Sequence, residues 1–366
     1  MRALQRAAPL LLLVLMGCLP TTCSRTESTA LMPADSLSRS LAVGMTPDTL
    51  THVESIDLTD EDLFGRPMAH PQTVEVDASG ATWIADVETG WLVRIGQDGA
   101  IIPMEVGPEA YPYIAGASST SSLSSDGAPD MWVWQAGNAQ LVRLDAHLGL
   151  VSRTEFPLPE AAEQRYVYAV QDTIYMKRVV KDGISSWEQR TPDGVLLAAQ
   201  LLPGPFWYHA GFVRAWGDRP VSLAGYRPMI TTWLPAPPYP GGEVSLDSMA
   251  LVGFDSPVLA RRLAFVEGRL EQPPLLSSSA RALEDQLFVL NLRPGWLQVD
   301  VYDRSGRLLQ VLTEPDPAFN RDFFPVDLAV SVESSDETTS PIRIDVLVWK
   351  PEPSLRRYRW TPQGSS

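Results

Sequence analysis

The segment from Pro71 to Met104, PQTVEVDASGATWIADVETGWLVRIGQDGAIIPM, constrains the fold more than any other part of the chain. Val74 and Val76 alternate with polar neighbours, and Asp77-Ala78-Ser79-Gly80 then makes a turn. Thr82-Trp83-Ile84-Ala85 reads as a second strand and Glu88-Thr89-Gly90 as a second turn. Trp91 to Ile95 is a third strand, Asp98-Gly99 a tight turn, and Ala100 to Met104 a fourth strand. Asp-Gly between short apolar runs signals a hairpin, because glycine adopts the positive φ that the turn needs. The rhythm recurs at Met131–Trp134 with Gln140–Asp145, and at Tyr166–Met176 with Arg190–Val195. It recurs again at Met249–Phe254 with Val258–Val266, at Leu287–Leu292 with Trp296–Asp303, and at Ile342–Trp349 with Leu355–Trp360. Glycines that close the units fall at 99, 149, 194, 268, 306 and 364, so most steps suit a repeat of about 40–50 residues. The longer step from Gly194 to Gly268 holds either an insertion or one extra unit.

Four short antiparallel strands per unit, repeated around an axis, make a β-propeller. The expectation is therefore an all-β, six-bladed propeller of four-stranded blades, with seven blades as the alternative. A β-sandwich would explain the strands but not their recurrent order. The Pro-x-x-Val-x-Val-Asp-x-x-Gly opening at 71–80, with Ala85-Asp86 after the second strand, resembles the NHL-type repeat, and more broadly the six-bladed NHL/TolB-like domains. The last unit ends after its third strand, which would leave an unpaired edge open to aggregation. Thr51 to Leu58 is an isolated alternating strand just ahead of the first unit. It is expected to close the ring as the outer strand of the last blade.

The start of the chain points to export. Arg2 and Arg6 precede an apolar core over Ala7–Met16, too short for a spanning helix of about 20 residues. Leu15-Met16-Gly17-Cys18 resembles the bacterial lipobox, which implies lipidation of Cys18 after removal of residues 1–17. The alternative is an ordinary exported protein with a Cys18–Cys23 pair. Leu19, where inner-membrane lipoproteins of the enteric type carry Asp, leans by analogy towards the outer membrane. Residues 18–48 read as a lipidated tether rich in Ser, Thr and Pro, and 49–366 as the propeller. The expected location is the cell envelope, with the bilayer as partner through the anchor, since acyl chains contribute about 0.8 kcal/mol per buried CH₂.

A net charge of −15 repels phosphate backbones, which argues against nucleic acid as a partner. Two cysteines near the N-terminus exclude a cysteine metal site in the domain. His52, His70, His147 and His209 have no metal-type spacing, and no nucleophile elbow, P-loop or dinucleotide fingerprint is present. The loops that join consecutive blades are instead rich in aromatics. Tyr111, Tyr113, Trp207, Tyr208, His209, Phe319, Asn320 and Phe323 lie in them, and the long fourth unit adds Trp216, Arg219, Tyr226, Arg227, Trp233 and Tyr239. Such rings suit stacking on a glycan, a peptide or an envelope protein, although packing between blades uses the same residues. The expectation is a non-catalytic binding module without cofactor. The alternatives are a propeller lyase and a metal-dependent hydrolase. Six-bladed calcium-dependent lactonases are similar, and that likeness implies oxygen ligands for Ca²⁺. Asp86, Glu88, Asn138, Asp255 and Asn320 are the candidates, with His70 and His209 as candidate bases, while Asp77 and Asp86 also fit turn-capping roles.

Overall fold

The computed structural model describes residues 44–117, 130–159, 163–170, 173–234, 245–293, 295–315, 319–333 and 340–362. Among the described residues, six sheets stand around an axis, each built on four antiparallel strands, one of them with a short fifth strand added at its outer edge. Blade 1 is Pro71–Val76, Thr82–Asp86, Trp91–Ile95 and Ile101–Glu105. Blade 2 is Pro112–Ala117, Met131–Gln135, Gln140–Leu144 and Leu150–Glu155. Blade 3 comprises Glu163–Val170, Thr173–Val180, Ser185–Arg190 and Leu196–Leu202. Blade 4 comprises Val213–Trp216, Arg219–Leu223, Met229–Leu234 and Ser245–Ala250. Blade 5 is built from Ser277–Leu283, Gln286–Asn291, Gln298–Tyr302 and Leu308–Thr313. Blade 6 holds Phe324–Val332, Ile342–Lys350 and Ser354–Trp360. The first strands of the six blades touch in cyclic order, blade 6 meeting both blade 5 and blade 1, so the ring is closed.

Closure comes from the N-terminal side. Thr51–Asp57 pairs antiparallel with Ser354–Trp360 and supplies the outer strand of blade 6. Arg357 links the two, bonding Asp345 Oδ1 at 3.0 Å within blade 6 and Glu54 on the closing strand. The chain just ahead of it does a second job that the sequence did not suggest. Asp48–Thr49 runs parallel to the outer strand of blade 5 as a fifth strand, and Asp48 accepts from Trp360 Nε1 at 2.9 Å. One short segment thus crosses the boundary between blades 5 and 6.

Apolar residues at every second strand position point alternately to the two faces of a blade. Both faces are covered by neighbours, so the core lies between blades. Among the described residues there are six buried clusters, one for each boundary. Between blades 1 and 2, for example, Trp83 and Leu92 meet Ile114, Met131, Val133 and Val142. Between blades 3 and 4, Trp187 stacks on Trp233 with ring centroids 3.4 Å apart.

The fourth repeat unit read from sequence is corrected. Met249–Ala250 ends the outer strand of blade 4, and Leu259–Val266 is a helix in the connection to blade 5. Ala260, Arg261, Arg262, Leu263 and Ala264 all have good intrinsic helix propensity, which is compatible with the helix. The true blade 4 lies earlier, inside the long step after Gly194. The blade count is six, with blade 4 taking the place of the unit expected at 249–266.

Candidate functional site

The loops between blades, together with those joining second to third strands, gather at one mouth of the ring. Strand alternation decides which side chains reach it. In Thr173–Val180, Tyr175, Lys177 and Val179 share the face towards blade 4, while Ile174 and Met176 face blade 2. Lys177 is buried and its ammonium donates to the Gly211 carbonyl and the Ser222 hydroxyl, both at 2.5 Å. Gly211 sits at φ +146°, and a Cβ there would lie 2.0 Å from the Leu223 carbonyl oxygen, so only glycine lets this loop lie against blade 4. The ammonium also stands 4.7 Å from the centroid of the Tyr166 ring. Burial pushes its pKa well below the usual lysine value.

An aromatic and cationic chain runs outward from this point. Tyr113 and Tyr166 both pack on Phe212, with centroids 6.5 and 5.9 Å away. Burial raises the Tyr113 hydroxyl to about 12. His209 Nε2 donates to the Pro203 carbonyl at 2.8 Å, and burial lowers its pKa, helped by the nearby charges of Lys177 and Arg227. Trp207 and Tyr208 meet edge to face at 4.4 Å, and Trp207 also meets Phe265 of the connecting helix at 5.1 Å. The Arg227 guanidinium lies 4.3 Å over the Tyr208 ring.

Of the residues expected at the site, the structure brings Tyr113, Trp207, Tyr208, His209 and Arg227 together, with Tyr111 in electrostatic reach of Tyr113. Tyr226, beside Arg227, lies within electrostatic reach of Tyr166 at the same mouth. The rest go elsewhere. Trp216 and Arg219 flank the first hairpin of blade 4 at the opposite mouth, where Trp216 Nε1 donates to the Glu284 carbonyl. Val213–Trp216 runs from the aromatic mouth towards the other one, so the last residue of the strand and the hairpin after it lie at the far end. Phe319 is exposed beside Trp296, Asn320 caps its own loop by accepting from Asp322 N at 3.0 Å, and Phe323 is buried between blades 5 and 6. Trp233 is core, and Tyr239 lies outside the described residues. Sequence reading missed Lys177, Arg262, Phe212 and Phe265. The one signal for Lys177 was a lysine on the apolar face of a strand; the others needed the packing of helix against loop.

Below the mouth the channel is filled. Asp327 of blade 6 accepts from Arg281 at 3.1 Å, Arg214 at 3.2 Å and Val74 N at 2.9 Å, and it also binds Ser279. Glu75 lies 3.4 Å from Arg281 and accepts from the Tyr168 hydroxyl at 3.1 Å. Burial raises both carboxyl groups, while Arg281 pulls them back. Two guanidinium groups face two carboxylates, so the plug is close to neutral.

The candidate calcium ligands are occupied in turns or dispersed. Asp86 is buried and accepts from Ala69 N, His70 N, Glu88 N and Thr89 N at 2.6–2.8 Å. Asp77 takes Ser79 N, Ala81 N and Trp83 Nε1 in the same manner. Asp255 faces Arg293 at 3.1 Å, and Asn138 leans on Gln135. His70 stacks on Trp349 at 4.2 Å. Among the described residues, no three His, Cys, Asp or Glu side chains converge in a metal-binding group.

No protein-family model and no curated protein matches the chain. Solved structures do, at the level of fold. A candidate gluconolactonase has 13% identity and a TM-score of 0.51 over 87% of this chain and 95% of its own. A streptogramin B lyase has 15% identity and a TM-score of 0.49 over 86% and 89%. Regucalcin from Agrobacterium tumefaciens, a calcium-binding protein, has 11% identity and a TM-score of 0.47 over 87% and 98%. The chain is a six-bladed β-propeller, and the likeness to the candidate gluconolactonase is one of fold.

Proposed function

We propose that this protein is a lipid-anchored binding propeller of a bacterial cell envelope, tethered through Cys18, whose ligand or partner docks on the mouth over blades 3 and 4. The observation that carries this reading is the gathering of Tyr113, Trp207, Tyr208, His209 and Arg227 at one mouth, above a channel closed by its own ion cluster. Flat rings with polar tips in loops of one face suit recognition of a glycan, a peptide or an envelope protein. The lipobox-like Leu15–Cys18 and the charged start support the anchor, and Leu19 favours the outer membrane. The opening at 71–80 supports an NHL-like origin of the blades.

A second reading is a lactonase-like, calcium-dependent hydrolase or a propeller lyase. The fold shared with a candidate gluconolactonase favours the hydrolase, although one fold hosts many functions.

The test screens the full-length chain against arrays of neutral and acidic oligosaccharides and peptides, alongside Trp207→Ala and Tyr208→Ala. Hits that both variants lose by tenfold or more support the binding reading. Hits that neither variant alters would overturn the placement. Turnover of an aldonolactone that needs one stoichiometric Ca²⁺ would establish the enzyme instead. For the anchor, Cys18→Ser should move the protein from the membrane to the soluble fraction; retention would defeat that part.

A further inference from the structure

The chain carries 44 Asp and Glu against 29 Lys and Arg, so a carboxylate is the commonest charged neighbour a cation can find. The buried and half-buried guanidinium groups elsewhere follow that expectation. Arg178 and Arg190 pair with Glu188, Arg214 and Arg281 with Asp327, and Arg343 and Arg357 with Asp345. The mouth over blades 3 and 4 is different. Among the described residues, Lys177, Arg227 and Arg262 form no ion pair there.

Arg227 has the soft thioether of Met229 as its hydrogen-bond acceptor, a weak substitute for an oxygen. Arg262, on the helix Leu259–Val266, has its Nε shut off from solvent without any partner. Tyr208 stands within electrostatic reach of both guanidinium groups. Burial lowers the pKa of each, and for Arg227 the charge of Arg262 lowers it further. Holding like charges together in a half-buried place, with an orphaned donor, costs stability unless something negative arrives.

We propose that Arg227 and Arg262 form an anion site, which takes an oxyanion (carboxylate, phosphate or sulfate) borne on a flat apolar body that stacks against Tyr208 and Trp207. The planar guanidinium fork matches the oxygens of such a group in bidentate fashion. Lys177, buried behind His209, adds positive potential without touching the ligand. This rests on the reading of the mouth as a docking surface and gives its ligand a chemical class.

The experiment titrates the full-length chain with phenyl phosphate, phenyl sulfate and benzoate, with phenol as the neutral control, following tryptophan fluorescence and calorimetry. The anions should bind at least tenfold more tightly than phenol. Arg227→Gln and Arg262→Gln should each weaken them tenfold or more, and Arg227→Lys less. Arg304→Gln, at the opposite mouth beside Trp216, should change nothing. Both variants should melt no lower than the parent in anion-free buffer, because each removes an unpaired charge. Equal binding of phenol and phenyl phosphate, or unchanged affinity in both Gln variants, would overturn the anion site. If the anions fail while array hits still depend on Tyr208, the docking surface stands and the anion site falls. If both fail, the docking surface falls with it.

Discussion

Asp300 lies buried in blade 5 without a cation in contact. It accepts from Gln298 at 2.6 Å and from Asn291 at 2.7 Å, and burial raises its pKa to about 6 despite those bonds. The folded state therefore holds its proton more tightly than the unfolded chain, whose value lies near 3.8. Between those values folding takes up a proton, so this residue's contribution falls as pH rises through the window and is lost above it. Two pKa units correspond to about 3 kcal/mol. Asp300→Asn cannot ionise and should flatten the dependence, becoming more stable relative to the parent at pH 7 than at pH 4.5. Urea unfolding at the two pH values checks this; an unchanged difference would contradict it. The capping aspartates are the opposite case. Asp77 and Asp86 were legible from sequence because an Asx turn is made within a few residues, whereas the isolation of Asp300 depends on strands that meet it from a distance.

At the scale of elements, the closing strand Thr51–Asp57 was visible in sequence as an alternating segment with no partner nearby, matched by a last blade one strand short. Removing residues 49–58 strips the partner of Ser354–Trp360 and leaves Leu355 and Tyr358, both fully buried, without cover. Burying each such side chain is worth roughly 1.5–3 kcal/mol, so the deletion should lower the melting temperature by more than 10 °C or give aggregates. A melt within 2 °C of the parent would show that the ring closes without it. The helix Leu259–Val266 was misread because its eight residues are too few for periodicity to separate helix from buried strand. The tertiary context decided it, and that context also carries Arg262 to the mouth.

Across the whole molecule, the channel cluster ties together blades that are far apart in sequence. Asp327 of blade 6 meets Arg214 of blade 4, Arg281 of blade 5 and the backbone of blade 1. Asp327→Ala would leave the buried Arg214 without a carboxylate and Arg281 with Glu75 alone, a defect that costs about 3–5 kcal/mol. Chemical denaturation should show that loss, and a change below 1 kcal/mol would mean that the cluster only fills space. The sequence by itself determined the blade: alternation, Asp-Gly turns and repeat length are local signals, and they fix strands, hairpins and the need for closure. Which residues meet at the axis and the mouth was decided by the ring. Tyr113, Lys177, Arg227 and Arg262 come from three blades and a connecting helix, and their juxtaposition follows from blade twist and loop packing. No local pattern encodes a contact between residues brought together only when the circle closes.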